Sequence, residues 1–187
     1  PDESRGQTVT VQDHADDANV RLTHEQANML LSLPNRETLA GLRDAALISL
    51  ALATGLRAAE LLALTVDDLH GALGGEKAII VREGKGCKQR LVPYGELVGA
   101  LDVVGTWLDR SGRPDSPAVF LGVNNKGEIL DKAITTRTYE RRLKRYPVGG
   151  AELTTHDLRR TYAKQRYVEG MDILAIRDNL GHADVKT

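Results

Sequence analysis

Between Arg36 and Thr54, apolar side chains recur at Leu39, Leu42, Ala46, Leu47, Leu50 and Ala53, and Gly55 follows directly. This is the three-to-four-residue spacing of a helix, and the glycine supplies its stop. Thr23, with Gln26 three residues later, makes a capping box that opens a shorter helix to about Leu33, which Pro34 ends. The same reading predicts helices from about Arg57, over 96–110, 133–146, 156–169 and 172–180, the last closed by Gly181. One stretch breaks the pattern. Ala78-Ile79-Ile80-Val81, then Gly84-Lys85-Gly86, then Arg90-Leu91-Val92-Pro93 reads as a β-hairpin between Lys77 and Val92. Residues 111–132 read as loop with one short strand at most. The expected fold class is mainly α with a small antiparallel β-sheet, an α+β domain.

Composition enters where it limits the core. The chain has 187 residues, enough for one domain of ordinary size. Hydrophobic residues make up 41% of it but aromatics only 4%, so the core must be built from Leu, Ala, Val and Ile. That mixture favours helices. No run of about 18 uncharged apolar residues occurs, and the N-terminus has no basic-then-apolar leader, so neither a membrane span nor secretion is expected. A cytoplasmic, nucleoid-associated location is the expectation. The single cysteine, Cys87, cannot form an internal disulfide and has no companion thiols for a metal site. Neither a metal nor a cofactor is expected.

The formal net charge of −1 at first argues against a nucleic acid partner. Its distribution changes that. Residues 1–20 hold Asp2, Glu3, Asp13, Asp16 and Asp17 against Arg5, a net of −4, which leaves +3 for residues 21–187. The acidic stretch shows no apolar periodicity and reads as a tail or interdomain linker, with the folded domain at 21–187. Inside that domain Arg137, Arg141, Arg142, Lys144 and Arg145 face one acid, Glu140, across nine residues. On its own, a run of this kind is more often a solvated helix face than a DNA contact.

Four short motifs carry chemistry. Arg57 follows a glycine helix break and is displayed at the head of a helix, although it could simply pair with Glu60 at i, i+3. His156 and Arg159 lie three apart on one helix face, close enough for both to reach one phosphate, a spacing that chance also produces. Lys85 sits between two glycines in the hairpin turn, where the backbone can approach a ligand and the ammonium is exposed. Its surroundings lack the pattern of a phosphate-binding loop. His182 follows the helix-ending Gly181, which is commonplace.

Taken in order, Gly55-Leu56-Arg57-Ala58-Ala59-Glu60-Leu61, Gly84-Lys85-Gly86-x-Lys88-x-Arg90-x-Val92-Pro93, His156-x-x-Arg159 and Leu180-Gly181-His182 resemble the motifs of tyrosine recombinases of the phage-integrase type. The resemblance covers about residues 20–187. The 23 residues from Arg159 to His182 are similar to the spacing in recombinases that resolve bacterial chromosome dimers. It implies a tyrosine-recombinase catalytic domain acting on double-stranded DNA, with Arg57, Lys85, His156, Arg159 and His182 catalytic and Glu60 supporting them. Lys88, Arg137, Arg141, Arg142, Lys144 and Arg145 would then contact DNA, with the basic run near the catalytic pocket. It further implies a nucleophilic tyrosine about nine residues beyond His182, past Thr187, and a DNA-clamping domain upstream of the acidic stretch. Residues 1–187 alone are therefore expected to bind DNA without cutting it, and to be monomeric where the whole protein forms a homo-tetramer on DNA.

The same resemblance implies a mechanism. A phosphodiester repels nucleophiles, and its 5′-oxygen leaves poorly. Arg57 and Arg159 would hold the phosphate and stabilise the pentavalent transition state, and Lys85 would protonate the departing oxygen. His156 would supply acid/base function, and His182 a hydrogen bond to the phosphate. A type IB topoisomerase, which relaxes one duplex without joining two, shares this pocket chemistry. A non-catalytic DNA-binding module of the same fold is the other alternative.

Overall fold

The computed structural model describes residues 20–73, 76–82, 89–93, 98–112 and 115–181. The acidic stretch before residue 20, the hairpin turn with Lys85, Cys87 and Lys88, and His182 lie outside the described residues. In chain order the elements are α1 (His24–Ser32), α2 (Leu39–Thr54), α3 (Ala58–Ala63), a 3₁₀ turn (Asp67–His70), β1 (Gly71–Leu73), β2 (Glu76–Arg82) and β3 (Gln89–Pro93). Then come α4 (Val98–Arg110), β4 (Leu121–Val123), β5 (Ile129–Ala133), α5 (Thr136–Leu143), α6 (Thr155–Val168) and α7 (Ile173–Leu180).

The expected capping box opens α1: the Gln26 amide donates to Thr23 Oγ1 at 3.2 Å, and the Thr23 amide to Gln26 Oε1 at 2.9 Å. Thr38 caps α2 in the same manner, accepting from the Gly41 amide. From Gly41 to Leu52 every residue of α2 is buried, so this helix is wrapped all round by α1, α4, α5 and α6. Leu42, Leu47, Leu50 and Leu61, with Trp107 and Phe120, form the centre of the core. Trp107 satisfies its indole by donating to the Val119 carbonyl at 2.8 Å.

The hairpin forms as expected, with Ile79 opposite Val92 and Val81 opposite Arg90, and its inner face buries Ile79, Val81 and Val92. Two features differ from the sequence reading. Strand β1 pairs antiparallel with β2, so the sheet has three strands in the order β1-β2-β3. The stretch 111–132 yields two strands, β4 and β5, paired across a turn that Asn124 organises by accepting from the Lys126 and Glu128 amides. Both hairpins are too short for period-two alternation to show, and pairing across the turn stabilises what the local pattern does not.

Burying α2 completely also buries Arg43 and Asp44, each 2% exposed. The Asp44 carboxylate accepts from Arg43 at 2.8 Å, from Arg142 Nε at 2.6 Å and from the Tyr146 hydroxyl at 2.8 Å. Arg142 is thus half-buried and turned inward, pinning α5 to α2. Asp44 answers two guanidinium groups, and the Arg142 side chain keeps 20% of its surface exposed. Burial tends to lower the Arg142 pKa, but the bond and charge of Asp44 more than reverse this, and it ends above its ordinary value. Asp44→Ala leaves Arg43 buried and unpaired, and is expected to cost about 3–5 kcal/mol of stability by denaturant titration. A loss within the scatter of an ordinary surface substitution would contradict the role given to this carboxylate.

Candidate active site

The site begins at the end of α2. Gly55 adopts φ 63°, and a Cβ there would run into the Tyr162 ring and the Leu180 side chain. Only glycine lets α2 stop here with α6 and α7 against it. The chain leaves Gly55 extended through Arg57, which starts α3, and Glu60 reaches back to accept the Arg57 amide at 2.8 Å. The same carboxylate accepts Arg57 Nη1 at 2.9 Å. The i, i+3 pair read from the sequence therefore exists, yet it leaves the Arg57 side chain 45% exposed with its Nη2 on the Gly181 carbonyl at 3.2 Å.

Arg159 arrives from the opposite side. The N-terminus of α6 is set by Thr154 and Asp157, which bond one another's backbone amides in a capping box. Arg159 lies one turn into the helix and is buried. Its Nη1 donates to the Gly55 carbonyl at 2.8 Å and its Nη2 to the Leu180 carbonyl at 2.7 Å. Arg57 and Arg159 thus hold successive carbonyls, Gly181 and Leu180, at the end of α7. Burial, followed by repulsion from Arg57, holds the Arg159 pKa down to about 10, with Glu60 opposing and Arg90 adding to the depression. The group stays cationic at neutral pH.

A third arginine completes the cluster. Arg90 on β3 grips both oxygens of Glu60, Nη1 at 3.0 Å and Nη2 at 2.8 Å, and its Nε donates to the Asn179 carbonyl at 3.0 Å. Burial pushes the Glu60 carboxyl up, but the bonds from Arg90 and Arg57 outweigh it and leave Glu60 below its ordinary value. A depressed carboxylate stabilises the fold above the unfolded-state pKa and loses that contribution only as pH falls through the folded value. The clamp is therefore intact at neutral pH. Arg90 falls within the motif Gly84–Pro93 without a role of its own there. The usable signal was its place two residues before the buried Val92, on the inward face of a strand, where a cation needs a partner.

The remaining expected residues fall into three groups. His156 stands exposed one turn before Arg159, at the edge of a recess it shares with Glu140, Lys144 and Arg160. Lys85, Lys88 and His182 are outside the described residues, although β2 and β3 flank the turn carrying the two lysines and Gly181 immediately precedes the histidine. Arg137, Arg141 and Arg145 are exposed on and just beyond α5, and Lys144 pairs with Glu152 at 3.0 Å. Arg141 and Arg145 line a concavity with Asn124, Asn125 and Lys126 against Thr38 and Leu39, at the N-terminal end of α2. Gly55 is at the other end, about 24 Å away along a 16-residue helix. Lys144, farther along the run, instead lines the recess that holds His156, and α5 packs against α3, which Arg57 opens, as well as against α2. No group of acidic, histidine or cysteine side chains suited to a metal occurs among the described residues. No helix among them is long and apolar enough to cross a membrane.

Comparison with known proteins agrees with this geometry. Residues 20–187 match the phage integrase family. Tyrosine recombinase XerD of Halalkalibacterium halodurans is 32% identical over 172 residues, covering 89% of this chain and 54% of that protein. Tyrosine recombinase XerA of Thermococcus kodakarensis is 36% identical over 169 residues, covering 89% and 55%. The chain thus spans about half the length of the curated relatives it matches. Among solved structures, a XerA recombinase superimposes with a TM-score of 0.69 at 31% identity, over 89% of this chain and 57% of that one. The lambda integrase catalytic core matches at a TM-score of 0.62 over 90% of this chain and 96% of that one, a likeness of fold at 17% identity. Because the family match takes in every described element from α1 to α7, this chain belongs to the phage integrase family.

Proposed function

We propose that the chain is the catalytic domain of a site-specific DNA recombinase that cuts and rejoins double-stranded DNA through a 3′-phosphotyrosyl intermediate. The observation that carries this is the arginine pair. Two guanidinium groups, from helices 102 residues apart in sequence, are brought to neighbouring carbonyls despite their mutual repulsion. A phosphate between them offsets that repulsion, and the fixed donors stabilise the extra negative charge of the pentavalent transition state without reorganising. The relatives' printed names, tyrosine recombinases, support the same reading.

In this mechanism Arg57 and Arg159 bind the nonbridging oxygens, while Lys85 on the β2–β3 turn gives a proton to the departing 5′-oxygen. His156 and His182 supply acid/base function and a hydrogen bond to the phosphate. The tyrosine that attacks is expected near position 191. Its ester stores the energy of the broken bond, so rejoining needs no nucleotide cofactor. Arg137, Arg141 and Arg145, with Lys88 and Lys144, bind phosphates farther along the duplex. A homo-tetramer on DNA, with residues 1–20 as the linker to an upstream clamp, completes the proposal.

With a duplex selected from a random-sequence pool by the longer natural protein, covalent protein–DNA adducts are expected. Arg57→Ala or Arg159→Ala should reduce adduct formation by about 10²–10³-fold with folding intact. Persistence of adducts in both variants would refute the site, and relaxation of supercoils without joining of two duplexes would favour a topoisomerase. Replacing Arg141 and Arg145 together by Ala should weaken duplex binding and lower the salt slope by about two, at an unchanged rate of cleavage once DNA is bound. Titrations across a salt series read this directly.

A further inference from the structure

Arg90 belongs to a strand, yet it does the work of a bracket between three separate pieces of the site. Its side chain is 13% exposed and its guanidinium spans both oxygens of Glu60 and the Asn179 carbonyl. It also lies flat over Gly181: a Cβ at that residue would come within 2.7 Å of Arg90 Nη1 and 2.8 Å of Cζ, and the residue's φ is 64°. The glycine of the Leu-Gly-His motif is therefore required twice, once by backbone conformation and once by the arginine stacked on it.

The charge balance gives this contact a consequence. Glu60 is one carboxylate between two guanidinium groups, Arg57 and Arg90. While Arg90 holds both of its oxygens, Glu60 is shared between two guanidinium groups, and Arg57 is only one of its two partners. With Arg90 gone, Glu60 is left to Arg57 alone. The half-exposed Arg57 then loses its fixed bearing on Arg159, and the last carbonyls of α7 lose one of three donors.

We propose that Arg90 is a positioning residue: by joining β3 to Glu60 and to the end of α7, it holds Arg57 in register with Arg159. This rests on the proposed strand-transfer function and adds to it a residue that need not touch the phosphate. Lysine is a poor substitute, because a single ammonium cannot reproduce a fork on the carboxylate together with a third bond to a carbonyl.

The test uses the longer natural protein and the duplex selected above, made with either an ordinary phosphate or a neutral methylphosphonate at the cleavage position. Arg90→Gln is expected to slow adduct formation on the ordinary duplex by about 10²-fold, the size of effect that a small misplacement produces, while duplex affinity stays within about twofold. On the methylphosphonate, which carries no charge to be offset, the variant and the unsubstituted protein should differ by less than about tenfold. Arg90→Lys should fall between the two, and it replaces Arg90→Gln if circular dichroism shows that the glutamine variant does not fold. A defect equal on both substrates marks a merely structural role and overturns the proposal. So does an unimpaired Arg90 variant when Arg57→Ala is impaired. If Arg57→Ala itself reacts at the unsubstituted rate, the strand-transfer reading fails instead.

Discussion

The last carbonyls of a helix have no partners within it, and they carry the negative end of its dipole. At the end of α7 these groups are met by cations from three other elements: Arg90 on Asn179, Arg159 on Leu180 and Arg57 on Gly181. Orphan acceptors and orphan charges solve one another's problem. The helix end gives three arginines somewhere to donate away from water, and the arginines hold in place a helix of only eight residues. Because the donors come from the start of α3, from β3 and from α6, this one junction fixes how those elements meet.

The glycines at either side of the junction belong to the same device. Gly55 ends α2 in the left-handed region and gives its carbonyl to Arg159, while Gly181 ends α7 in the same conformation beneath Arg90. A side chain at either would push apart surfaces that must touch. Glu60 is shared by Arg57 and Arg90, with Arg159 close enough to feel the charge of all three. Burial first, and then repulsion from Arg57, holds the Arg159 pKa down to about 10.

Asp44 solves the opposite problem at the other half of α2. There one buried carboxylate gathers Arg43, Arg142 and Tyr146 and ties these side chains to one another within the fold. The two arginine clusters use the same residue types to different ends, and exposure separates them. Arg43 and Asp44 are sealed, whereas Arg57 stays nearly half open to solvent.

Much of this was legible along the chain. The apolar spacing of α2, the Thr23 capping box, the hairpin strands and the glycine stops are local, since they depend on residues within one or two turns, and the structure repeats them. The ordered motifs likewise identified Arg57, Glu60 and Arg159. What the chain could not disclose were pairings across long separations. That Arg142 faces Asp44, 98 residues away, that Arg90 meets Glu60 and Asn179, and that α5 docks against both α2 and α3 follow from how the helices pack around α2. Periodicity says which face of a helix is buried; only packing decides which charged side chain comes to rest against which, because that depends on distances between elements that no local pattern encodes.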